Sequence, residues 1–295
     1  MEQKCTAKEI SRVKSLGFLR DKRTLDGFCA RVITQSGMLS SEEFERIAEA
    51  ARRYGSGQVA MTSRMTVEIQ GVPYDNIQPL MDYLQAGGLE TGGTGPRVRP
   101  VVSCKGTSCV YGLIDVHGLA MRIHRRFFLE MRDVKLPHKF KIGVGGCPNS
   151  CVKPDLNDLG IVGQRVPKID LDKCRGCKVC AVEKACPMGA MQLAETGPVL
   201  DPALCNRCGR CVRSCPFGCF NEWDTGYALY IGGRWGKKRA VGKPLSRLLS
   251  SEDEVLEVVQ RAIDLYRTQG IPGERFADTI ERLGFTPVDK ALLGG

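Results

Sequence analysis

Apolar residues recur at helical spacing early in the chain, at Phe44, Ile47, Ala48 and Ala51. A period of three to four residues gathers them on one helix face. Ser40-Ser-Glu-Glu43 precedes them as a capping-box pattern, and Gly55 is placed to end the helix. The pattern then switches to alternation over residues 59–70. Val59, Met61, Met65, Val67 and Ile69 fall on one side, and Thr62, Arg64, Thr66, Glu68 and Gln70 on the other. This period of two predicts a single half-buried strand with Arg64 on its polar face. Cys29-Ala-Arg-Val-Ile-Thr34 also reads as a strand and carries Arg31, and a second helix is predicted over 76–85. Helices alternating with strands on this scale predict an α+β unit.

The same reading continues down the chain. Gly87 to Gly95 is a glycine-rich loop without a phosphate-loop lysine motif. Arg97 and Arg99 follow it into a short strand, 101–103, that ends at Cys104. Residues 113–132 predict an amphipathic helix, with Leu113, Val116, Leu119, Ile123 and Phe127 set against Arg122, Arg125 and Arg126. His117 and His124 lie on it, where packing or surface roles are the default. Alternation returns over 139–144 and places Lys139 and Lys141 on one side of a strand, with Phe140, Ile142 and Val144 on the other. Further strands are expected near 158–163 and 228–231, and helices over 251–268 and near 274–283.

Composition changes the picture at one point. The 295 residues include 15 cysteines. Their grouping in short runs points to metal ligation rather than disulfides. No leader-like apolar core follows the first residues and no apolar run reaches the length of a membrane helix, so a cytoplasmic protein with no membrane span is expected. The net charge of +10 is dispersed and lacks an aromatic-rich basic stripe, so nucleic acid ranks low as a partner and anionic ligands rank higher. Cys5 and Cys29 stand alone and are expected to be packing residues.

Two cysteine patterns carry the chemistry. Cys104-x4-Cys109 and Cys147-Pro-Asn-Ser-Cys151 are two close pairs, with Lys139-Phe-Lys141 just before the second. Four thiolates suit an iron–sulfur cluster or zinc, and the lysines suggest that an anion approaches. Beyond residue 169 the run Cys174-x2-Cys177-x2-Cys180-x5-Cys186-Pro is followed by Cys205-x2-Cys208-x2-Cys211-x3-Cys215-Pro, a repeat of the bacterial ferredoxin signature. In that signature the fourth cysteine of each run ligates the other cluster. One [4Fe–4S] set is therefore Cys174, Cys177, Cys180 and Cys215, and the other Cys205, Cys208, Cys211 and Cys186. A zinc ribbon is the competing reading, but it wants two pairs of ligands rather than two triplets with a distant fourth. Cys219 is left over, as a structural thiol. Gly232-Gly-Arg-Trp-Gly-Lys-Lys238 is a basic glycine-rich turn suited either to cofactor carboxylates or to a surface hairpin.

In this order, Thr-x-Arg on a strand, arginines before a first cysteine pair, Lys-Phe-Lys, Cys-Pro-Asn-Ser-Cys, a ferredoxin repeat and Gly-Gly-Arg-Trp-Gly, the chain resembles the sirohaem-containing nitrite and sulfite reductases. It is most similar to their short form with an embedded ferredoxin, the type found in anaerobic sulfite reductase. The resemblance runs from about Phe28 to Gly284. It implies a ferredoxin-like half-domain over 1–90, a sirohaem/[4Fe–4S] domain over 91–167 that resumes over 223–295, and an inserted two-cluster ferredoxin over 168–222. It implies that Cys104, Cys109, Cys147 and Cys151 hold a third [4Fe–4S] cluster, Cys151 also bridging to sirohaem iron. It implies that Lys139 and Lys141, with Arg31, Arg64 and Arg99, surround the substrate, and that Arg64, Arg97, Gly232, Gly233, Arg234 and Lys237 hold sirohaem carboxylates. Reduction of sulfite to sulfide is the expected activity. Nitrite reduction to ammonia and a sirohaem-free electron carrier are the alternatives. An electron-donor protein or subunit is expected, as is a homodimer or larger complex, because larger members carry two copies of the half-domain. The first pair departs from the family's usual x5 spacing by one residue.

Overall fold

The computed structural model describes residues 5–23 and 27–295. The chain divides into two compact units that interleave along the sequence. The first comprises residues up to Ser103, Ala120–Ile142 and Gln260–Val288, and the second Cys104–Leu119, Gly143–Val259 and Asp289–Gly295.

The first unit opens with helix α1 (Ala7–Ser15), capped by Thr6, whose side chain accepts from the Glu9 N–H while Glu9 reaches back. Strands β1 (Phe18–Arg20) and β2 (Gly27–Val32), helix α2 (Ser41–Tyr54), strands β3 (Val59–Met61) and β4 (Val67–Pro73) and helix α3 (Ile77–Gln85) follow. The sheet order is β1-β2-β4-β3, with antiparallel neighbours throughout. The Ser40–Glu43 capping box forms as the sequence reads, and Ile47, Ala50 and Ala51 of α2 are buried. With Phe18, Phe28, Val32, Ile69, Leu80 and Leu84 they make the core of this layer, and Cys5 packs against it. Cys29 is half-buried on β2.

Alternation over 59–70 is real, but it does not belong to one strand. The chain reverses at Thr62–Met65, where the Thr62 N–H donates to the Thr66 carbonyl and Met65 takes φ 56°. β3 and β4 pair as a hairpin, with Val59 opposite Ile69 and Met61 opposite Val67. Opposed residues share a face, so alternation survives the turn and hides it. Arg64 therefore sits in the turn, and Val59 and Met61 are exposed on the edge strand.

Beyond the glycine-rich loop, β5 (Val102–Ser103) closes the first segment of this unit, and helix α4 starts at Val116 rather than 113 and ends at Ile123. His124–Leu129 continues it as a π-helix, a form that appears as short bulges where the regular ladder is disturbed. His124 is buried there against Phe128, with ring centroids 4.7 Å apart, and burial pulls its imidazole down to about 4. Phe140, Tyr266 and Phe276 form an aromatic cluster with centroids 5.2–5.8 Å apart.

In the second unit, β6 (Ile142–Gly145), β7 (Leu159–Lys168), β10 (Glu222–Ile231) and β11 (Lys243–Pro244) lie in the order β11-β10-β7-β6. β6 is shorter than the strand expected over 139–144, whereas β7 and β10 are longer than expected and pair antiparallel over ten residues each. Between β7 and β10 the chain makes the short helix α5 (Ala181–Ala185) and the hairpin β8 (Met191–Ala194) and β9 (Gly197–Leu200). Val182, Met191 and Phe220 pack there with Cys180 and Cys219 as a separate small core. Helices α6 (Glu252–Gln269) and α7 (Phe276–Leu283) occur close to expectation, and α8 (Phe285–Leu293), like α1, was not anticipated.

Candidate functional site

In the first unit the backbone at Val98 runs parallel to that at Phe140. The Arg99 N–H donates to the Phe140 carbonyl (2.8 Å) and the Phe140 N–H to the Arg97 carbonyl (3.1 Å). This bridge sets the arginine stretch beside Lys139 and Lys141. The result is a cavity of about 260 Å³ lined by Lys14, Arg31, Arg64, Arg99, Lys139 and Lys141. Gly93, Thr94 and Gly95 of the glycine-rich loop form part of its wall. The loop approaches the end of α1 so closely that a Cβ on Gly17, at φ +99°, would stand 2.3 Å from the Gly92 nitrogen.

The cations differ in how they are held. Arg31 is clamped by Glu68 on the neighbouring strand, with Nη2 2.6 Å and Nε 3.0 Å from Oε1. Arg64 donates from Nη2 to the Pro100 carbonyl at 3.0 Å, and Arg99 donates from Nη1 to the Gly93 carbonyl. The Arg99 Nε is buried and has no hydrogen-bond partner. Burial, then the neighbouring charges of Arg31, Arg64, Arg275 and Arg97, pull the Arg99 guanidinium down to about 10. It is a cation in a field of cations, and such a group is relieved by an anion. Arg97 turns away and donates to the Arg132 carbonyl at 2.9 Å, so it does not line the cavity.

All five residues assigned by the resemblance to the substrate thus share one cavity. Lys14 was not anticipated. It lies on a helix the periodicity reading passed over, and its carbonyl accepts from Thr94 Oγ1 at 2.5 Å.

In the second unit Cys104 begins the next pattern. Its N–H donates to the Val144 carbonyl (3.0 Å), and its Sγ accepts from the Gly146 N–H (3.2 Å). A short 3₁₀ turn, Gly106–Ser108, carries the chain to Cys109. The turn is tied down by Thr107, which donates to Asp115 Oδ1 (2.8 Å) and accepts from the His117 N–H (2.8 Å). Burial pushes the Cys147 thiol up, and the nearby thiols of Cys104, Cys151 and Cys109 push it the same way. The four sulfurs are therefore electrostatic neighbours.

Eight further cysteines ring two cavities. Cys174, Cys177, Cys180 and Cys215 line one, together with Cys219. Cys186, Cys205, Cys208 and Cys211 line the other. Burial pushes the Cys211 thiol up to about 11, with Cys205, Cys208 and Cys186 adding to the effect. Among the described residues no group of three or more His, Cys, Asp or Glu side chains is drawn together as one metal ion requires.

The Gly232–Lys238 turn is fixed at its base, where the Gly232 N–H donates to the Asp158 carbonyl (3.0 Å) and Arg234 pairs with Ala240. Gly233 abuts the Asp155 carbonyl so closely that a Cβ would stand 2.1 Å from it. Arg234 is half-buried, while Trp235 and Lys237 are exposed.

Comparison with known families accounts for both units. A nitrite and sulphite reductase 4Fe-4S domain matches residues 94–293, and a nitrite/sulfite reductase ferredoxin-like half domain matches residues 20–87. The chain belongs to the nitrite and sulfite reductase family. It is 31% identical to the coenzyme F420-dependent sulfite reductase of Methanocaldococcus jannaschii over 84% of its own length but only 39% of that protein's. It is 28% identical to the C-type polypeptide of the anaerobic sulfite reductase of Salmonella typhimurium, over 78% of this chain and 71% of the relative. It is also 28% identical to the alpha polypeptide of the dissimilatory-type sulfite reductase of Allochromatium vinosum, over 81% and 62%. Among solved structures, dissimilatory sulfite reductase I superposes with a TM-score of 0.72 at 21% identity, over 90% of this chain and 68% of that one. The NirA protein of Mycobacterium tuberculosis superposes with a TM-score of 0.67 at 17% identity, over 97% and 47%. The fold is the α+β nitrite/sulfite reductase fold, and the family is one of iron–sulfur oxidoreductases. No helix among the described residues is long and apolar enough to cross a membrane.

Proposed function

We propose that this reductase converts sulfite to sulfide at a [4Fe–4S]–sirohaem centre supplied with electrons by two ferredoxin-type clusters. The observation that carries the proposal is the cavity in which Arg31, Arg64, Arg99, Lys139 and Lys141 converge. A pure electron carrier has no use for a pocket of fixed cations. Sulfite, by contrast, is a small dianion whose negative charge such donors stabilise. In this reading residues 1–90 are the ferredoxin-like half-domain, 91–167 and 223–295 the cofactor domain, and 168–222 an inserted ferredoxin.

The donor sets fit the implied groups. Three sets of four thiols suit three [4Fe–4S] clusters: Cys104, Cys109, Cys147 and Cys151; Cys174, Cys177, Cys180 and Cys215; and Cys186, Cys205, Cys208 and Cys211. The Arg99 Nε, buried without a partner, and the basic Gly232–Lys238 turn suit the carboxylates of sirohaem and its anionic substrate. Arg64, Arg97, Gly232, Gly233, Arg234 and Lys237 would hold those carboxylates, with Cys151 the axial thiolate. When bound, sirohaem supplies the redox iron for a multi-electron reduction.

The chain's own residues do the rest. Glu68 holds the Arg31 guanidinium in one orientation. Carbonyls of Gly93 and Pro100 do the same for Arg99 and Arg64. Such pre-set donors need not reorganise as oxygen leaves. Lys139 and Lys141 are ammonium groups at neutral pH and can each donate a proton to departing oxygen. The partner is an electron-donor protein or subunit, in a homodimer or larger complex.

An anaerobic optical spectrum with iron and acid-labile sulfide counts tests the proposal. A sirohaem Soret band over broad cluster absorption, with sulfite turned over faster than nitrite, is the expected result. Faster turnover of nitrite would reassign the substrate. Cluster absorption alone, after expression with ample sirohaem, would make the protein an electron carrier.

A further inference from the structure

The first ferredoxin cavity contains a sulfur that the two-cluster signature does not use. Cys219 is 2% exposed and lines the cavity of Cys174, Cys177, Cys180 and Cys215, whereas the described lining of the second cavity has no fifth cysteine. Its thiol donates toward Cys215 and toward Cys174. Cys215 is also approached by the backbone N–H groups of Phe217, Gly218 and Cys219 itself. The position is fixed from behind. The Asp170 N–H donates to the Cys219 carbonyl (2.9 Å), and the Arg213 N–H to the Phe220 carbonyl (2.8 Å), while Phe220 is wholly buried.

Hydrogen bonds to cluster sulfurs stabilise the reduced, more negative cluster and raise its potential. A thiol donor adds to three backbone donors on one ligand and reaches a second ligand as well. We propose that Cys219 is a positioning thiol that makes the cluster of the first cavity the more easily reduced of the two ferredoxin clusters. Electrons entering the ferredoxin module then collect on that cluster. This inference rests on the cluster reading above and concerns only how one cavity differs from the other.

The test is EPR-monitored redox titration of the intact protein and of its Cys219→Ala and Cys219→Ser variants, with iron and sulfide counted in each. The expected result is that Cys219→Ala keeps its full iron content and moves one midpoint potential to a more negative value. Cys219→Ser, which retains a donor, should move the same midpoint less. The second cluster's midpoint should stay in place in both variants. An unchanged midpoint in Cys219→Ala, or an equal shift in both variants, would overturn the proposal. Loss of iron from Cys219→Ala but not from Cys219→Ser would show a packing role instead and also overturn it. Absence of ferredoxin-type clusters from the unaltered protein is a different failure, that of the cluster reading itself.

Discussion

Arg99 shows at the scale of one residue how the cavity works. Its folded value of about 10 lies below the ordinary guanidinium range because burial and four other arginines disfavour its charge. The unfolded chain therefore binds more protons than the folded one above pH 10, so this group's cost to stability is present at neutral pH and is relieved as pH rises through 10. A bound dianion relieves it at neutral pH instead. Sulfate should thus raise the Tm at pH 7, by the equivalent of about 2.7 kcal/mol at a hundredfold excess over its Kd. The gain should shrink as pH approaches 10 and vanish in Arg99→Met, and thermal scans across pH read both. Lys139→Ala and Lys141→Ala should each lower kcat on the order of 10²-fold while leaving the optical spectrum intact, the range general acids contribute. An unchanged kcat would place proton delivery elsewhere. The sequence made these residues legible only through the resemblance. Taken alone, Arg31 was an ordinary strand arginine, and the Glu68 that clamps it was a polar-face residue. Lys14 gave no signal, since nothing in a nine-residue surface helix marks one of its lysines as facing a cavity.

At the scale of the element, what matters is how short turns bring ligands together. The Cys104–Cys109 loop has one residue fewer than its relatives' usual spacing, and a 3₁₀ turn anchored by Thr107 and Asp115 takes up the difference. Its close packing leaves no slack. A Cβ on Gly106 would stand 2.3 Å from Val116 Cγ2 and 3.2 Å from Cys104 Sγ. Gly106→Ala should therefore cost about 1–3 kcal/mol by overpacking and loosen Cys104. Iron analysis should find one cluster lost and the two ferredoxin clusters retained; full iron content would mean that Cys104 is not a ligand. Periodicity read this level well where an element had one clean face, as in α2 and α6. It failed at 59–70, where a hairpin keeps paired residues on the same face and so mimics one strand. It also ran 113–132 as one helix, because the apolar stripe continues through the π-helical turn at His124. The long β7–β10 pair was under-read because its outer ends carry residues such as Arg165, Lys168 and Asp224 rather than an apolar run.

Across the whole molecule, the order of cysteines along the chain differs from their order in space, and that difference decides the wiring. Cys186 follows Cys180 by six positions in sequence yet shares its cavity with Cys205, Cys208 and Cys211. Cys215 shares its cavity with the earlier run. The ferredoxin signature carries this crossed ligation, which is why a pattern of spacings alone anticipated both cavities. The crossing also means that neither cluster can form from a contiguous segment, so each holds the halves of the insert together. Cys186→Ala should therefore remove the signal of the cluster that Cys208→Ala also removes, and Cys215→Ala the one that Cys177→Ala removes. Spin quantitation of the reduced proteins by EPR distinguishes the pairs. If Cys186→Ala and Cys177→Ala instead lose the same signal, each run binds its own cluster, and the insert is two independent metal loops rather than one interlocked ferredoxin.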